Sequence, residues 1–77
     1  MEQVIRTKDE LEFAIFCIEN LAVSLHTEPS VMYRLLHDES DILQTYIVPS
    51  YDVLHTQGKE YIVNDILEVM RERGITV

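Results

Sequence analysis

Apolar residues recur along the chain at helical spacing. Between positions 11 and 25 they fall three or four residues apart, which is typical of an amphipathic helix. They are Leu11, Ala14, Ile15, Ile18, Leu21, Ala22 and Leu25. Three further apolar side chains, those of Phe13, Phe16 and Cys17, widen this stripe. A helix that is apolar over so much of its circumference needs neighbours on more than one side, so we expect it at the centre of the fold.

The start of this first helix carries a capping signal. Thr7 and Glu10 have the spacing of a capping box. In that motif the Thr7 hydroxyl accepts an early amide and the Glu10 carboxylate reaches back to the Thr7 amide. Asp9 adds negative charge at the positive end of the helix. We expect the helix to stop near His26 and residues 1–6 to form a frayed end or a short extended arm.

Two shorter helices are predicted next. Thr27 is expected to cap the second helix, with Pro29 in its first turn, where the missing N–H costs nothing. Its apolar face is formed by Val31, Met32, Leu35 and Leu36. Pro49 is expected to end the third helix, since the residue before proline avoids the helical region. The apolar face of that helix is formed by Ile42, Leu43, Tyr46 and Ile47.

The last third of the chain contains a variable segment and a final helix. Residues 51–56 fit either a turn of helix or a short strand. Gly58 is interpreted as a left-handed stop. The fourth helix begins near Lys59 and should close at Gly74, with two arginines near its negative end. Its apolar positions are Ile62, Val63, Ile66, Leu67, Val69 and Met70.

These elements predict an all-α fold. A chain of 77 residues has room for one domain, which we take to span residues 1–77. We expect a compact bundle of four to five short helices in which the first and last helices are central and pack together. A chain of this size buries only about 60% of the surface that its unfolded state exposes, so stability is marginal and self-association as a homodimer would add to the core.

The net charge narrows the choice of partners. The chain has 14 acidic and 6 basic residues, a net charge of −8. Affinity for phosphate comes from Lys and Arg. We therefore expect no binding of nucleic acid by the chain alone and no association with membranes. The acidic surface fits a basic protein partner or serves solubility.

The cysteine content and the N-terminal pattern indicate location. Cys17 is the single cysteine, so no internal disulfide is possible, and its apolar neighbours indicate a core residue. The first ten residues show no signal-peptide pattern. No uncharged stretch reaches about 18 residues, the length needed to span a bilayer. We expect a cytoplasmic protein.

Residues 51–63 contain the most varied side-chain chemistry of the chain. Tyrosines are good interface anchors because they bury a large area at low entropic cost. They also commonly cover a small core with the ring while the hydroxyl stays in water. We expect a partner-binding surface here. Its residues are Tyr51, Asp52, His55, Thr56, Gln57, Lys59 and Tyr61.

Catalysis and metal binding find little support in the sequence. Asp52 and His55 share a helix face, and such a pair can transfer protons. No nucleophile accompanies them, and a chain of this size seldom encloses a substrate pocket. We expect Asp52 to cap a turn and His55 to bond backbone or partner, and we expect no enzyme. His26 and His37 complete no zinc-like spacing, and Gly58 is too isolated for a phosphate loop, so no metal or cofactor is expected.

A helix-turn-helix interpretation is the alternative. Residues 21–36 have the spacing of that motif, although His26 stands where the turn usually has glycine. The would-be recognition helix offers Arg34 and His37 among three acidic residues. Reading of bases needs Arg, Lys, Asn or Gln, and anchoring needs several phosphate contacts. Any DNA-binding regulator built on this chain would act within a complex.

Three segments resemble a known family. Residues 13–22, 31–36 and 51–63 are similar to the bacterial domain-of-unknown-function 3791 family, and the likeness extends over residues 12–72. Relatives often carry glycine in the turn where this chain has His26. The family has no assigned enzyme activity, and its genes lie beside ADP-ribosyltransferase-like toxin genes. The resemblance therefore implies a non-catalytic protein-interaction module that acts as an antitoxin or accessory partner.

Overall fold

The computed structural model of the protein describes residues 5–75, most of which are helical and none of which lies in a strand. The elements are α1 (Lys8–Ser24), α2 (Pro29–His37), a π-helical turn (Leu43–Ile47), α3 (Tyr51–Leu54) and α4 (Lys59–Glu72). The predicted all-α fold of four to five short helices is confirmed. Residues 51–54 form helix rather than strand. Most of the frayed end or arm expected at residues 1–6 lies outside the described residues, and Ile5 packs against the core.

Helix α1 is the centre of the bundle. It packs against both α2 and α4, as the width of its apolar stripe predicts. Its buried residues are Phe13, Ala14, Cys17, Leu21 and Ala22. The expected burial of Leu11 and Ile15 is wrong, since each side chain is 45% exposed. These two lie one helical turn apart at the edge of the stripe, beyond the reach of the packed neighbours.

The start of α1 is capped much as predicted. The Thr7 hydroxyl accepts a hydrogen bond from the Glu10 amide at 3.1 Å. The Glu10 carboxylate accepts one from the Arg6 amide at 2.8 Å, one residue before the expected Thr7 amide. Thr7 itself has the extended backbone (φ −130°, ψ 161°) that is usual for an N-cap residue.

The turn after α1 is a Schellman motif that carries histidine at the glycine position. His26 has a left-handed backbone, with φ at 54°. The amide of Thr27 bonds the carbonyl of Ala22 at 2.9 Å, and the His26 amide bonds that of Val23 at 3.2 Å. These two bonds satisfy carbonyls that the end of a helix leaves open. The predicted stop near His26 is confirmed.

The expected cap of α2 is wrong. Glu28, not Thr27, occupies the N-cap position, and its side chain makes no capping bond. The amide of Thr27 closes the preceding turn, so that residue belongs to the end of α1. Pro29 takes the first position of α2 as predicted.

The two glycines differ in role. Gly74 has φ of 76° and ends α4 in a second Schellman motif, with the Ile75 amide bonded to the Met70 carbonyl at 2.9 Å. The prediction of a left-handed backbone at Gly58 is wrong. This glycine lies at the N-cap of α4 with an ordinary extended backbone (φ −72°, ψ 162°). Helix α3 ends at Leu54, so the chain has already left it when Gly58 is reached.

The third predicted helix is a π-helical turn, which is wider than an α-helix. Leu43 and Ile47 are buried in a π turn, where the Val48 amide bonds the Leu43 carbonyl at 3.1 Å. Side chains tie this region to α4. The Tyr46 hydroxyl donates a hydrogen bond to Asp65, and Arg73 pairs with Asp41. They hold the π turn against the last helix.

Candidate partner-binding groove

A groove lies between the first half of α1 and α3, and the segment that leads into α4 completes it. Its volume is about 280 Å³. The residues that line it come from segments of the chain about 40 positions apart. They are Asp9, Glu12, Phe13, Phe16, Tyr51, His55, Gln57 and Ile62. The groove is defined by these residues.

Four rings form two walls of the groove. The rings of Phe13 and Phe16 are nearly parallel, with centroids 6.5 Å apart and planes at 17°. Those of Tyr51 and His55 are stacked, with centroids 4.3 Å apart and planes at 12°. Tyr51 meets Phe13 edge to face, at 5.5 Å and 74°. The two pairs therefore stand nearly perpendicular, and helical spacing within α1 and at α3 keeps each pair together.

Backbone contact fixes the imidazole of His55. Its Nδ1 lies 2.6 Å from the carbonyl oxygen of Tyr51. A carbonyl only accepts hydrogen bonds, so Nδ1 carries a proton and Nε2 is the acceptor of the neutral ring. Asp52 is exposed and makes no hydrogen bond to His55 among the described residues. Within residues 5–75, no three His, Cys, Asp or Glu side chains are grouped so as to hold a metal ion.

Carboxylates form the rim of the groove. Asp9 has no ion-pair partner among the described side chains. Glu12 pairs with Lys8 at 3.9 Å, between side chains that are 63% and 85% exposed, so the pair is easily replaced. Burial raises the pKa of Tyr51, and the negative charges of Asp9, Asp52 and Glu12 raise it further. The carboxylates thus create a negative potential at the aromatic wall.

Only some of the residues predicted to form the partner-binding surface lie in the groove. Tyr51, His55 and Gln57 line the groove. The other four, which are exposed and lie outside it, are Asp52, Thr56, Lys59 and Tyr61. Thr56 donates its hydroxyl to the Val53 carbonyl at 3.0 Å.

Sequence reasoning missed the half of the groove that α1 contributes. The sequence pattern assigns Asp9 to the helix dipole and both phenylalanines, Phe13 and Phe16, to the core stripe, and it gives Glu12 no part in a site. These four residues follow the i, i+3, i+4, i+7 spacing and so share one face of α1. A mixed acidic and aromatic face beside the core stripe was the signal that could have revealed them.

The helix-turn-helix alternative would use α2 as its recognition helix. Arg34 is exposed on α2. His37 stacks on Tyr33, with centroids 5.0 Å apart, and its Nδ1 lies 2.7 Å from a carboxylate oxygen of Asp38. The acid beside His37 offsets positive charge on the face that would meet DNA.

Comparison with known proteins gives a family. A family described as "Protein of unknown function (DUF3791)" matches residues 12–73. The chain belongs to this family. The resemblance inferred from the sequence is thereby confirmed, and every groove residue except Asp9 lies inside the DUF3791 region. No curated protein and no solved structure matches the chain.

Proposed function

We propose that the protein is a non-catalytic interaction module that binds a protein partner through the groove. The observation that carries this proposal is a groove with aromatic walls and an acidic rim on one side of a small bundle. Small-molecule sites usually measure about 300–1,000 Å³. The groove, at about 280 Å³, is better suited to side chains that project from another protein.

The aromatic residues suit an interface. Tyr51 is half-buried and rests on Phe13, so its ring is held in place before any partner arrives. Ordered aromatic side chains lose little entropy on binding and are common among residues that dominate interface energies. His55, Gln57 and Glu12 surround this anchor with polar groups, as at the rims of protein interfaces.

The proposed role is non-catalytic because, within residues 5–75, no carboxylate is hydrogen-bonded to the histidine of the groove. The Nδ1 atom of His55 is engaged by a backbone carbonyl, not by Asp52. We further propose that the partner is the product of a neighbouring gene, a toxin-like protein that this chain accompanies or restrains, and that the protein acts in the cytoplasm. No helix among the described residues is sufficiently long and apolar to cross a membrane.

Co-expression with the products of adjacent genes tests the proposal. A tagged chain should hold one of them in a stoichiometric complex. Glu12→Arg and Gln57→Arg should each weaken the complex, because each places a cation in the groove. Glu39→Arg makes the same charge change as Glu12→Arg at an exposed position outside the groove and should bind normally. A chain that stays alone with every neighbour, or groove variants that bind as well as Glu39→Arg, would refute the proposal.

The antitoxin role has a separate readout. If the captured protein stops growth when expressed alone, co-expression of this chain should restore growth. Glu12→Arg should fail to restore it, whereas Glu39→Arg should succeed. A complex that forms without any effect on growth would leave an accessory role and remove the antitoxin role.

A further inference from the structure

The groove combines aromatic faces with exposed negative charge, which is a recognition chemistry for cations. Building on the proposed function, we infer that the groove receives one arginine side chain of the partner. The guanidinium stacks on the aromatic walls and pairs with Asp9 and Glu12.

The arrangement of the rings supports a planar cation. The electron-rich faces of aromatic rings attract positive charge. Because the Phe13–Phe16 pair and the Tyr51–His55 pair stand nearly perpendicular, a cation in the corner meets aromatic groups from two directions. Guanidinium groups are planar and weakly hydrated, so they stack on such surfaces more readily than the compact, strongly hydrated ammonium of lysine.

The rim supplies negative charge that has only weak partners within the fold. Asp9 lies in the first turn of α1, where it also interacts favourably with the helix dipole. Glu12 lies beyond that turn, and its contact is the exposed, loose pair with Lys8. Both carboxylates are thus available to the fork of N–H donors that a guanidinium presents. An aliphatic side chain in the same place would leave this charge without a partner.

The size of the groove sets the size of the occupant. A volume of about 280 Å³ is at the lower limit of small-molecule pockets, which begin near about 300 Å³. One long side chain fits such a space, and its backbone then stays outside in contact with the rim. The net charge of −8 favours the approach of a basic segment.

Titration with blocked amino acids tests this chemistry without the partner. The full chain, labelled with ¹⁵N and ¹³C, is titrated with N-acetyl-arginine-N-methylamide and followed by NMR. Saturable shifts are expected at the Gln57 amide and at the rings of Phe16, Tyr51 and His55. The lysine analogue should bind about two- to fivefold more weakly, and the leucine analogue should cause no saturable shift.

Variants locate the binding site. Asp9→Asn and Glu12→Gln should each weaken arginine binding by about two- to fivefold, in line with exposed ion pairs. Phe16→Leu should weaken it by a similar factor through loss of the ring face. Glu39→Gln removes the same charge outside the groove and should change nothing. Circular dichroism shows whether each variant is folded. If Phe16→Leu is unfolded, Asp9→Asn still tests the site.

The outcomes separate this inference from the proposed function. Equal binding of the leucine or lysine analogue, or shifts that spread over α2 instead of the groove, would overturn the assignment of arginine. The partner complex and its loss in Glu12→Arg could still stand in that case. Conversely, selective saturation by the arginine analogue with no complex from any neighbouring gene would uphold the arginine preference and overturn the proposed function.

Discussion

At the scale of single residues, burial decides whether a side chain can react. Cys17 is fully buried, and burial raises the pKa of its thiol to about 12. The nucleophilic form of cysteine is the thiolate. A thiol with such a pKa is a core side chain, as its apolar neighbours predict.

The first prediction concerns this thiol. A shift from 9.0 to about 12 lowers the thiolate fraction at pH 8 by about a thousandfold. The native protein should therefore react with a chromogenic disulfide reagent far more slowly than the chain in 6 M urea. Stopped-flow absorbance measures both rates. Rapid native reaction, with circular dichroism showing an intact fold, would contradict the buried position.

The second prediction concerns His26. A left-handed backbone costs a residue with a side chain about 1–2 kcal/mol, and glycine adopts it freely. After allowance for the greater freedom of glycine in the unfolded chain, His26→Gly should stabilise the protein by about 0.5–1 kcal/mol. Urea unfolding measures the change. Glu19→Gly, within α1, is the control and should cost about 1 kcal/mol; equal losses in both variants would disprove the left-handed turn.

At the scale of elements, side-chain ties hold the π turn to α4. Tyr46 bonds Asp65, and Arg73 pairs with Asp41 while its second nitrogen lies 3.3 Å from the Thr45 hydroxyl. Both ties connect residues at least 19 positions apart in sequence. They stabilise a segment that, as a single π turn, has little stability of its own.

The third prediction tests the tyrosine tie. The hydrogen bond to Asp65, then burial and the charge of Asp65, raise the pKa of Tyr46 from 10.0 to about 12. Because the pKa is raised on folding, this stabilisation is complete below pH 10 and is lost as pH rises towards 12. Tyr46→Phe should cost about 1 kcal/mol of stability near neutral pH. As the pH rises above 10, the stability of this variant should fall less than that of the parent protein.

Thermal melts between pH 8 and 12 measure this difference against the parent protein. Tyr33→Phe is the matched control, since the Tyr33 ring is 42% exposed on α2 and its hydroxyl makes no hydrogen bond among the described residues. It should leave both the stability and the pH profile unchanged. A Tyr46→Phe profile that coincides with that of Tyr33→Phe would rule out the tie to Asp65.

At the scale of the whole molecule, one small core carries the fold. Leu21 and Met32 are fully buried in it, at the contact region of α1 and α2. Stability scales at about 0.05–0.15 kcal/mol per residue, so a domain of this size has only about 4–12 kcal/mol in total. The molecule therefore tolerates few losses from its centre.

The fourth prediction follows from that margin. Leu21→Ala should destabilise the protein by about 2–5 kcal/mol through lost burial and the cavity left behind. Val23→Ala, two residues away and 74% exposed, should change stability by less than about 0.5 kcal/mol. Urea unfolding of both variants supplies the comparison, and similar midpoints would contradict the assignment of the core face of α1.

Self-association of the whole molecule is a further prediction. The small size of the chain suggests that pairing as a homodimer would add to the core. Leu11 and Ile15 are the exposed apolar side chains at the edge of the stripe of α1. Sedimentation velocity of the parent protein and of Ile15→Glu would show whether copies meet there, because a buried charge would abolish such a dimer.

Hydrophobic spacing was enough to predict the helices and the central place of α1. Hydrophobic spacing is a local property of the chain, and it locates a helix without knowledge of its neighbours. Local signals failed where one residue type has several uses: Thr27 ends one helix instead of starting the next, and Gly58 precedes α4 without a left-handed backbone. The exposure of Leu11 and Ile15 escaped for another reason, since burial at the edge of a stripe depends on which neighbours pack there.

The groove, by contrast, is a product of the tertiary fold. The acidic and aromatic face of α1 meets Tyr51 and His55 because α3 docks beside Phe13, almost 40 residues later in the chain. Spacing along one helix cannot reveal which distant segment will cover it. Docking is set by how all the apolar faces pack together, and so the site emerges only when the whole core has formed.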